Sequence, residues 1–357
     1  MSDLRIRIRD EILRDGPIPF ARFMNLCLYA EKLGYYETPR EIGKAGDFYT
    51  SVSVGSFFGQ LLARQFAEWL QPLDKNGAGA IQIVEAAAHD GRLSADILEA
   101  LQSARPEIFD RVEYWIIEPS LVRREIQQDA LSRFGAKVRW FDGFESVPSI
   151  HGVLFSNELL DAFPVHRVLW DAAKQHWLES CVDWNGTGFV WITAELSFPA
   201  TDILVPRELT PHLPDQFTFE VGRGAQEWWQ RAATKLQSGK LVAIDYGFTV
   251  EEFLRSGKTR GTVRAYKQHR LSDNLLADVG EQDLTAHVNF DAIQNAGERA
   301  GLKTNALLSQ AQFLTGIFEG LAKSPAGFNG AAKTVKQFQT LTSPEHLGRF
   351  RVLIQSR

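Results

Sequence analysis

The chain has 357 residues, of which 44% are hydrophobic and 23% are charged, as is typical of a soluble globular protein with a large core. Its formal net charge of -5 gives no electrostatic reason to expect a nucleic-acid partner. Two cysteines are too few for a disulfide framework or a zinc cluster, and the eight histidines show no zinc-ligand spacing, so we expect no metal site.

Membrane insertion and secretion are not expected either. No uninterrupted apolar stretch reaches the roughly 20 residues that a transmembrane helix needs. The N-terminal segment MSDLRIRIRDEILRDG alternates charged and apolar residues and has no hydrophobic signal core. We therefore expect a cytoplasmic protein.

The first part of the chain is predicted to be helical. Pro19 suits a first helical turn, and an apolar stripe follows it at helical spacing, formed by Phe20, Phe23, Met24, Cys27 and Leu28. This stripe makes a buried structural thiol the expected role of Cys27. A second amphipathic run leads to QPLDKNGAGA, which is typical of a linker. We predict an N-terminal helical extension over residues 1–75.

Residues 76–357 show a different pattern. Helical segments alternate with short apolar runs, namely AIQIVEA, VEYWIIE, GVLFSNE and KLVAIDYG. This spacing is typical of βαβ units, so we predict an α/β domain with a mostly parallel sheet. The runs VHRVLWD, QHWLESCVDW and GFVWITAEL look antiparallel instead. They predict an insertion at about residues 165–235 that covers one edge or mouth of the sheet.

Four of the apolar runs end in acidic or polar residues, which are Glu85, Glu118, Asn157–Glu158 and Asp245. In an open α/β sheet, ligands bind beyond the carboxyl ends of the strands. One such acid suits a helix cap or an exposed position equally well, but four strand ends of the same character favour a ligand site. An acid that ends the second strand commonly accepts the hydroxyls of a cofactor ribose, which makes Glu118 a candidate for that role.

Two blocks, VEAAAHDGRLSADIL and YWIIEPSLVRREIQQDAL, resemble the first two motifs of class I S-adenosylmethionine (SAM) methyltransferases. More narrowly, the chain resembles the MidA-like family, which includes mitochondrial complex I assembly factors that act as protein-arginine methyltransferases. Its specific blocks are GDFYTS, SNELLDAFPVHR, AIDYGF and RAYKQHRLSDNLLADVGEQDLTAHVNFDAI. The resemblance implies a Rossmann-like class I methyltransferase fold with an N-terminal helical extension and an inserted substrate-side cover.

The first motif departs from the family pattern, which is roughly Glu-x-Gly-x-Gly-x-Gly-x-Leu. Glu85, Gly91 and Leu93 match it, whereas Ala87 and His89 stand at the other two glycine positions. Glycine there permits a positive φ and a close approach of ligand to backbone. Alanine at position 87 adds one methyl group and is tolerable if its φ stays negative. His89 either touches the cofactor or substrate, or turns its ring to solvent.

The resemblance implies a SAM site built from the GDFYTS loop and the two motifs. The residues that it assigns to SAM binding are Gly46, Asp47, Tyr49, Thr50, Glu85, Ala87, His89, Gly91, Glu118 and Asp142, the last of them near the adenine. The family usually has a Pro-Glu pair after this loop, where the chain has Val52 and Ser53. By composition alone the loop suits an ordinary glycine-hinged turn as well.

The block NELLDAFPVH is complete and implies Asn157, Glu158 and Asp161 as the catalytic residues. Asp161 is expected one helical turn beyond Glu158, facing the same cavity; alternatively it caps the start of the helix. A carboxylate cluster suits an arginine substrate, because a guanidinium keeps its proton and binds carboxylates through paired hydrogen bonds.

The function that this resemblance favours is SAM-dependent methylation of an arginine in a protein substrate. A respiratory-complex subunit as that substrate and a homodimer of the chain are further expectations. The alternative is a non-catalytic assembly or binding protein that keeps the fold and the substrate surface but has lost SAM binding. Ala87 and His89, in place of two glycines, are the residues that keep this alternative open.

Overall fold

The computed structural model describes residues 3–38, 50–75, 80–267, 270–322 and 332–357. Packing divides the chain into two compact units. The first unit is drawn from Met1–Asp47, Leu160–Trp228 and Gly247–Ile293, and the second from Phe48–Leu159, Trp229–Tyr246 and Gln294–Arg357. The predicted division into 1–75 and 76–357 does not coincide with these units, because the helices of residues 1–75 belong to both.

Helices alternate with strands up to Phe141, and runs of successive strands follow. The helices of the described residues are α1 (Asp3–Asp15), α2 (Phe20–Tyr29), α3 (Ser51–Val54), α4 (Phe57–Lys75), α5 (Arg92–Ala104), α6 (Pro106–Arg111), α7 (Leu121–Leu131), α8 (Arg223–Lys235), α9 (Val250–Arg255), α10 (Phe290–Arg299), α11 (Gln310–Ala322) and α12 (Ala332–Thr342). The strands are β1 (Ile18–Pro19), β2 (Ile81–Ala86), β3 (Val112–Ile117), β4 (Val138–Phe141), β5 (Ile150–Asn157), β6 (His166–Asp171), β7 (His176–Trp184), β8 (Phe189–Ala194), β9 (Thr218–Val221), β10 (Leu236–Asp245), β11 (Gly247–Phe248), β12 (Arg264–Lys267), β13 (Arg270–Ser272), β14 (Asp283–Thr285), β15 (Val288–Asn289), β16 (Lys303–Ser309) and β17 (Arg351–Ser356).

The second unit is built on a sheet to which the described residues contribute seven strands, in the order β16-β17-β10-β5-β2-β3-β4. The strands from β10 to β4 run parallel, and β17 and β16 are added antiparallel at one side. Each of the four apolar runs predicted as parallel strands forms one of β2, β3, β5 and β10. The prediction of an α/β fold with a mostly parallel sheet is confirmed.

These strands are continuous apolar runs in the sequence because both faces of the sheet are buried. Every residue of β2 is buried, as expected for a central strand of a parallel sheet that has helices on both sides. The amphipathic α4 contributes Phe58, Leu62 and Phe66 to the same core cluster as Ile81. Helix α4 therefore belongs to the second unit, although the sequence grouped it with the helices before it.

One carboxylate lies inside this apolar core. Glu85, near the end of β2, is only 3% exposed. Its Oε2 accepts hydrogen bonds of 2.5 Å from the hydroxyls of Ser94 on α5 and Tyr114 on β3. Burial raises the pKa of Glu85 to about 7, although the two hydroxyl donors lower it. A single side chain thus joins two neighbouring strands to the helix that follows the first of them.

The first unit contains the strands that the sequence predicted to be antiparallel. Strand β7 pairs antiparallel with β6, β8 and β1, and β6 pairs antiparallel with β9. Helix α2 begins directly after Pro19 and buries the predicted apolar stripe in this unit. The same unit holds a small sheet of β13, β12 and β14 and the parallel pair of β11 with β15.

Both cysteines are buried free thiols, and burial raises the pKa of Cys27 to about 12. Within the described ranges, no group of three or more His, Cys, Asp or Glu side chains is arranged to hold a metal ion. No helix of those ranges is long and apolar enough to cross a membrane.

Gly152 on β5 is required by close packing of the backbone. A Cβ added there would lie 1.9 Å from the carbonyl oxygen of Gln82 on β2. We expect Gly152→Ala to lower the free energy of unfolding by about 3 kcal/mol, because neither strand can move without breaking ladder hydrogen bonds. Urea denaturation followed by circular dichroism measures the change.

Gly316→Ala is the matched control, because Gly316 lies exposed in α11 and an added Cβ meets nothing within 4 Å. It should leave stability unchanged or raise it by up to about 1 kcal/mol. Equal effects of the two substitutions would contradict the packing argument.

The buried carboxylate of Glu85 should make stability depend on pH. Its folded pKa of about 7, against an ordinary value of 4.5, means that the folded state binds this proton more tightly than the unfolded state does. The contribution of Glu85 to stability therefore falls as pH rises from about 4.5 to about 7, by about 3 kcal/mol in total. Glu85→Gln removes this titration, so its stability relative to wild type should rise over that pH range. Urea unfolding of both proteins at pH 5 and pH 8 measures the difference.

Glu125→Gln, at an exposed position of α7, is the control and should show the same difference from wild type at both pH values. A difference for Glu85→Gln that does not change with pH would show that Glu85 does not titrate in this range.

Candidate functional site

The parallel strands of the second unit end at one edge of its sheet, which we call the carboxyl edge. The loop 87–91 follows β2, Glu118 follows β3, and Asp142 follows β4. Asn157 and Asp245 are the last residues of β5 and β10. The fold therefore brings most of the predicted site residues to one edge, where a parallel sheet binds ligands.

The loop between β2 and α5 has a left-handed backbone at three residues. The φ angle is 57° at Ala87, 49° at His89 and 79° at Gly91. Ala87 thus does not meet the condition of a negative φ under which alanine is readily tolerated there. Residues other than glycine adopt this conformation at a cost of roughly 1–2 kcal/mol each. Positions 87 and 89 thus keep the backbone that glycine favours, and strain of this kind concentrates at ligand sites.

Hydrogen bonds from outside hold this loop. The backbone N–H of Ala87 donates to the carbonyl of Ile117 at the end of β3, at 3.0 Å. The carbonyl of His89 accepts from Nε2 of Gln127 on α7, at 3.2 Å. The imidazole of His89 is 62% exposed, with Nδ1 3.8 Å from Oδ1 of Asp90. The His89 ring therefore does not fill the interior of the loop.

Gly91 ends the loop as the N-cap residue of α5. A Cβ at this position would lie 3.4 Å from Cα of Gln127 and from Cβ of Ala130 on α7, which is ordinary contact, so the φ angle and not packing favours glycine. The free N–H groups and the positive end of the helix dipole at an N-terminus attract anions such as carboxylates. At the N-terminus of α5 the carboxylate of Asp90 already takes this place, because its Oδ1 accepts from the backbone N–H of Arg92 at 3.1 Å.

Glu85 supports this loop from the buried core of the second unit. Its carboxylate faces Ser94 and Tyr114 in the core, so it fixes α5 and β3 around the loop. The side chain that the first motif contributes is thus turned inward in this structure.

Glu118 is buried at the end of β3 with both carboxylate oxygens engaged. Oε1 accepts from the backbone N–H of Ser120 and Oε2 from Nε2 of Gln127, each at 3.1 Å. Burial raises the pKa of Glu118, although these two donors and the charges of Arg123 and Arg124 lower it. Because each carboxylate oxygen has two lone pairs, Glu118 retains capacity to accept ligand hydroxyls.

Asp142 lies in a more open place. Its side chain is 82% exposed, and Oδ1 lies 3.2 Å from a guanidinium nitrogen of Arg124. Nε of Arg124 donates to the carbonyl of Glu118 at 2.6 Å. Arg124 therefore connects the ends of β3 and β4.

Two buried polar atoms at the carboxyl edge have no hydrogen-bond partner among the described residues. They are Oγ of Ser120, next to Glu118, and Oδ1 of Asn157, at the end of β5. Buried polar atoms are rarely left without a partner, so such atoms mark places where a ligand or water completes the bonding. The residues present thus fit the polar nucleoside and amino-acid groups of SAM.

The end of β5 carries the predicted substrate-side residues Asn157 and Glu158. Glu158 has a φ of 53°, and its N–H donates to the carbonyl of Ile244 on β10 at 2.9 Å. Nδ2 of Asn157 donates to Oε1 of Glu158 at 3.2 Å. The buried carboxylate of Asp245 accepts from the backbone N–H of Leu159 at 3.2 Å and so holds the next residue in place.

Asp161 lies in the first unit, in the short 3-10 helix Leu160–Ala162. It is buried, and its carbonyl accepts from the N–H of Ala286 at 2.9 Å. The expectation that Asp161 lies one helical turn beyond Glu158 is wrong, because the left-handed backbone of Glu158 excludes a helical turn there. The structure therefore does not place Asp161 on a helix with Glu158.

Gly46, Asp47 and Tyr49 lie outside the described residues. Thr50 is described, and it caps the start of α3. Its Oγ1 accepts from the N–H of Ser53 at 3.2 Å, while Oγ of Ser53 accepts from the N–H of Thr50 at 3.1 Å. The departure from the family pattern at Ser53 thus supplies one half of a capping box.

Sequence reasoning missed Gln127 and Ser120. Gln127 bonds to both the loop and Glu118, and Ser120 places an unpaired hydroxyl beside them. Gln127 had a detectable signal: it stands four residues before the buried Leu131 and therefore on the inward face of α7, where a polar residue needs partners. Ser120 had none beyond its position next to Glu118.

Comparison with known proteins agrees with this geometry. The family described as "Putative S-adenosyl-L-methionine-dependent methyltransferase" matches residues 61–308. A protein from Burkholderia thailandensis, whose crystal structure contains bound S-adenosyl-homocysteine (SAH), is 30% identical over 99% of this chain and 92% of its own, with a TM-score of 0.83.

Two curated relatives are named protein arginine methyltransferase NDUFAF7, mitochondrial, or its homolog. The Danio rerio protein is 25% identical over 96% of this chain and 83% of its own length. The Drosophila melanogaster homolog is 26% identical over 84% of this chain and 71% of its own length. From the match over residues 61–308 and the full-length likeness to the SAH-bound protein, the chain belongs to this family of SAM-dependent methyltransferases, and SAM is its cofactor.

Proposed function

We propose that this methyltransferase acts on an arginine side chain of a protein substrate, and that Glu158 receives the guanidinium. The observation that carries this proposal is the left-handed Glu158 at the end of β5, held by Asn157 and next to the buried Asp245. Strained residues of this kind persist where the surrounding structure fixes a functional side chain. The names of the curated relatives as arginine methyltransferases support the same substrate class.

On the cofactor side, Glu118 accepts the ribose hydroxyls in this proposal. The loop 87–91 and the N-terminus of α5 receive the amino-acid end of SAM. Glu85 fixes the loop and α5 through its hydrogen bonds in the core, and Asp142 lies near the adenine. Oγ of Ser120 and Oδ1 of Asn157 provide further polar contacts. When bound, SAM supplies an electrophilic methyl group on a positively charged sulfur.

On the substrate side, the Glu158 carboxylate binds the guanidinium through paired hydrogen bonds and orients a nitrogen lone pair. Its negative charge offsets the positive charges of guanidinium and cofactor. A guanidinium holds its proton with a pKa above about 12, so the reacting nitrogen loses its proton late, to the Glu158 carboxylate. Positioning and electrostatics thus provide most of the catalysis.

Three more specific expectations rest on the sequence alone and remain predictions. Asp161 as a second carboxylate at the substrate, a respiratory-complex subunit as the methyl acceptor, and a homodimer all come from the sequence. The NDUFAF7 relatives are named as mitochondrial, whereas the sequence of this chain predicts a cytoplasmic protein.

The ribose assignment predicts how Glu118→Gln changes cofactor affinity. We expect SAH to bind the wild-type protein with a Kd on the order of micromolar in isothermal titration calorimetry. Replacing the carboxylate by an amide removes charge-assisted hydrogen bonds and should weaken binding roughly tenfold to hundredfold.

The control for this experiment is Glu125→Gln, which changes the same charge at an exposed position of α7. It should bind SAH like the wild type. Unchanged affinity in Glu118→Gln would remove Glu118 from the site, and no wild-type binding at millimolar SAH would contradict the cofactor assignment as a whole.

The arginine proposal predicts the chemistry of the product. We expect transfer of a labelled methyl group from SAM to proteins in an extract of source cells that lack this protein. Acid hydrolysis should release the label as N-methylated arginine. Glu158→Gln should lower transfer roughly a hundredfold or more, because it removes the charge that orients the guanidinium, while SAH affinity stays within about threefold.

Label in lysine, in a carboxyl group or in a small molecule would overturn the arginine proposal. Loss of both transfer and SAH affinity in Glu158→Gln would assign Glu158 to folding instead. Asp161→Asn in the same assay tests the second predicted carboxylate, and Glu125→Gln again controls for charge.

A further inference from the structure

Gln127 is a fully buried amide on α7 whose side chain makes three hydrogen bonds. Nε2 donates to the carbonyl of His89 at 3.2 Å and to Oε2 of Glu118 at 3.1 Å. Oε1 accepts from Nε1 of Trp140 on β4 at 3.1 Å. One side chain therefore contacts the segments that follow β2 and β3 together with strand β4.

The indole of Trp140 fixes which way the amide points. An indole N–H only donates, so the amide atom that faces it has to be the oxygen. The NH₂ group is then turned to the carbonyl of His89 and the carboxylate of Glu118, both of which only accept. A reversed amide would set donor against donor at Trp140 and acceptor against acceptor at both other contacts.

We propose that Gln127 is a positioning residue of the cofactor site, which sets the Glu118 carboxylate and the left-handed loop at His89 in one fixed relation. Its two N–H groups reach the two segments that hold opposite parts of SAM. This inference rests on the assignment of Glu118 to the cofactor and does not depend on arginine as the substrate.

The hydrogen bond from Gln127 to the carbonyl of His89 matters because position 89 has a histidine where the family has a glycine. A left-handed histidine costs roughly 1–2 kcal/mol relative to glycine, so the loop needs a contact that favours this conformation. The Gln127 bond to the His89 carbonyl is such a contact, and it comes from a side chain that is itself fully buried. The same amide also bonds to Glu118. A shift in the position of the loop 87–91 therefore changes the position of the Glu118 carboxylate, and the reverse also holds.

Two substitutions of Gln127 separate positioning from packing. Gln127→Met keeps the volume and removes both N–H donors, so we expect SAH to bind roughly ten- to a hundredfold more weakly at every pH. Gln127→Glu keeps the shape and the acceptor for Trp140. Its new carboxylate faces Glu118, and two such groups share one proton at low pH.

The Kd for SAH of Gln127→Glu should therefore depend on pH. Near pH 5.5 the shared proton restores the hydrogen bond to Glu118 but not the bond to the His89 carbonyl, so affinity should lie between those of wild type and Gln127→Met. Near pH 8.5 both carboxylates are ionised and repel each other, and affinity should fall at least tenfold relative to wild type. Calorimetry over this pH range measures both, and urea unfolding shows that each variant is folded.

The matched control is Gln128→Glu, which adds the same charge at the next, exposed residue of α7 and should bind SAH like wild type at each pH. Trp140→Phe removes the donor to the amide oxygen and should weaken binding no more than a few fold, because the His89 carbonyl and Glu118 still orient the NH₂ group. Wild-type affinity in Gln127→Met, or a Gln127→Glu affinity without pH dependence, would overturn the inference. Wild-type protein that does not bind SAH would overturn it together with the cofactor assignment, whereas a non-arginine product would leave it intact.

Discussion

The carboxyl edge of the central sheet depends on one buried carboxylate, that of Glu85. Burying an acid in an apolar core is costly unless donors reach it, and the hydroxyls of Ser94 and Tyr114 do so at 2.5 Å. Because these donors lie on α5 and β3, their bonds fix the helix and the neighbouring strand at the place where the loop 87–91 leaves β2. The geometry of the loop follows from this fixed frame.

Within that frame the loop holds Ala87, His89 and Gly91 in a left-handed backbone. Two of these residues are strained, and bonds from Ile117 and Gln127 keep them in place. A loop of this kind can thus have residues other than glycine and still keep its left-handed backbone conformation, when hydrogen bonds from neighbouring elements restrain it. Membership in the methyltransferase family, despite the altered motif, agrees with this account.

Much of the fold was predictable because buried parallel strands are continuous apolar runs. Strands β2, β3, β5 and β10, the acid Glu118 after β3 and the buried stripe of α2 all follow from the sequence. Ala87 departs from the negative φ under which alanine is readily tolerated, and the helical turn expected between Glu158 and Asp161 was wrong. In both cases the surrounding hydrogen bonds outweigh the local preference of the residue. Gln127 was missed because a single polar residue on a helix does not reveal which partners it will meet.

The sequence by itself determined the α/β architecture and placed the candidate site residues at the ends of the strands, since the apolar periodicity and the polar strand ends are local features. It also identified the family, through blocks of fixed order. Only the tertiary structure decided how Ala87 and His89 are accommodated, that the Glu85 carboxylate faces inward, and which residues connect Glu118 to the loop. Those outcomes depend on contacts between residues distant in the chain, and the free energy of such contacts can exceed the conformational preference of any one of them.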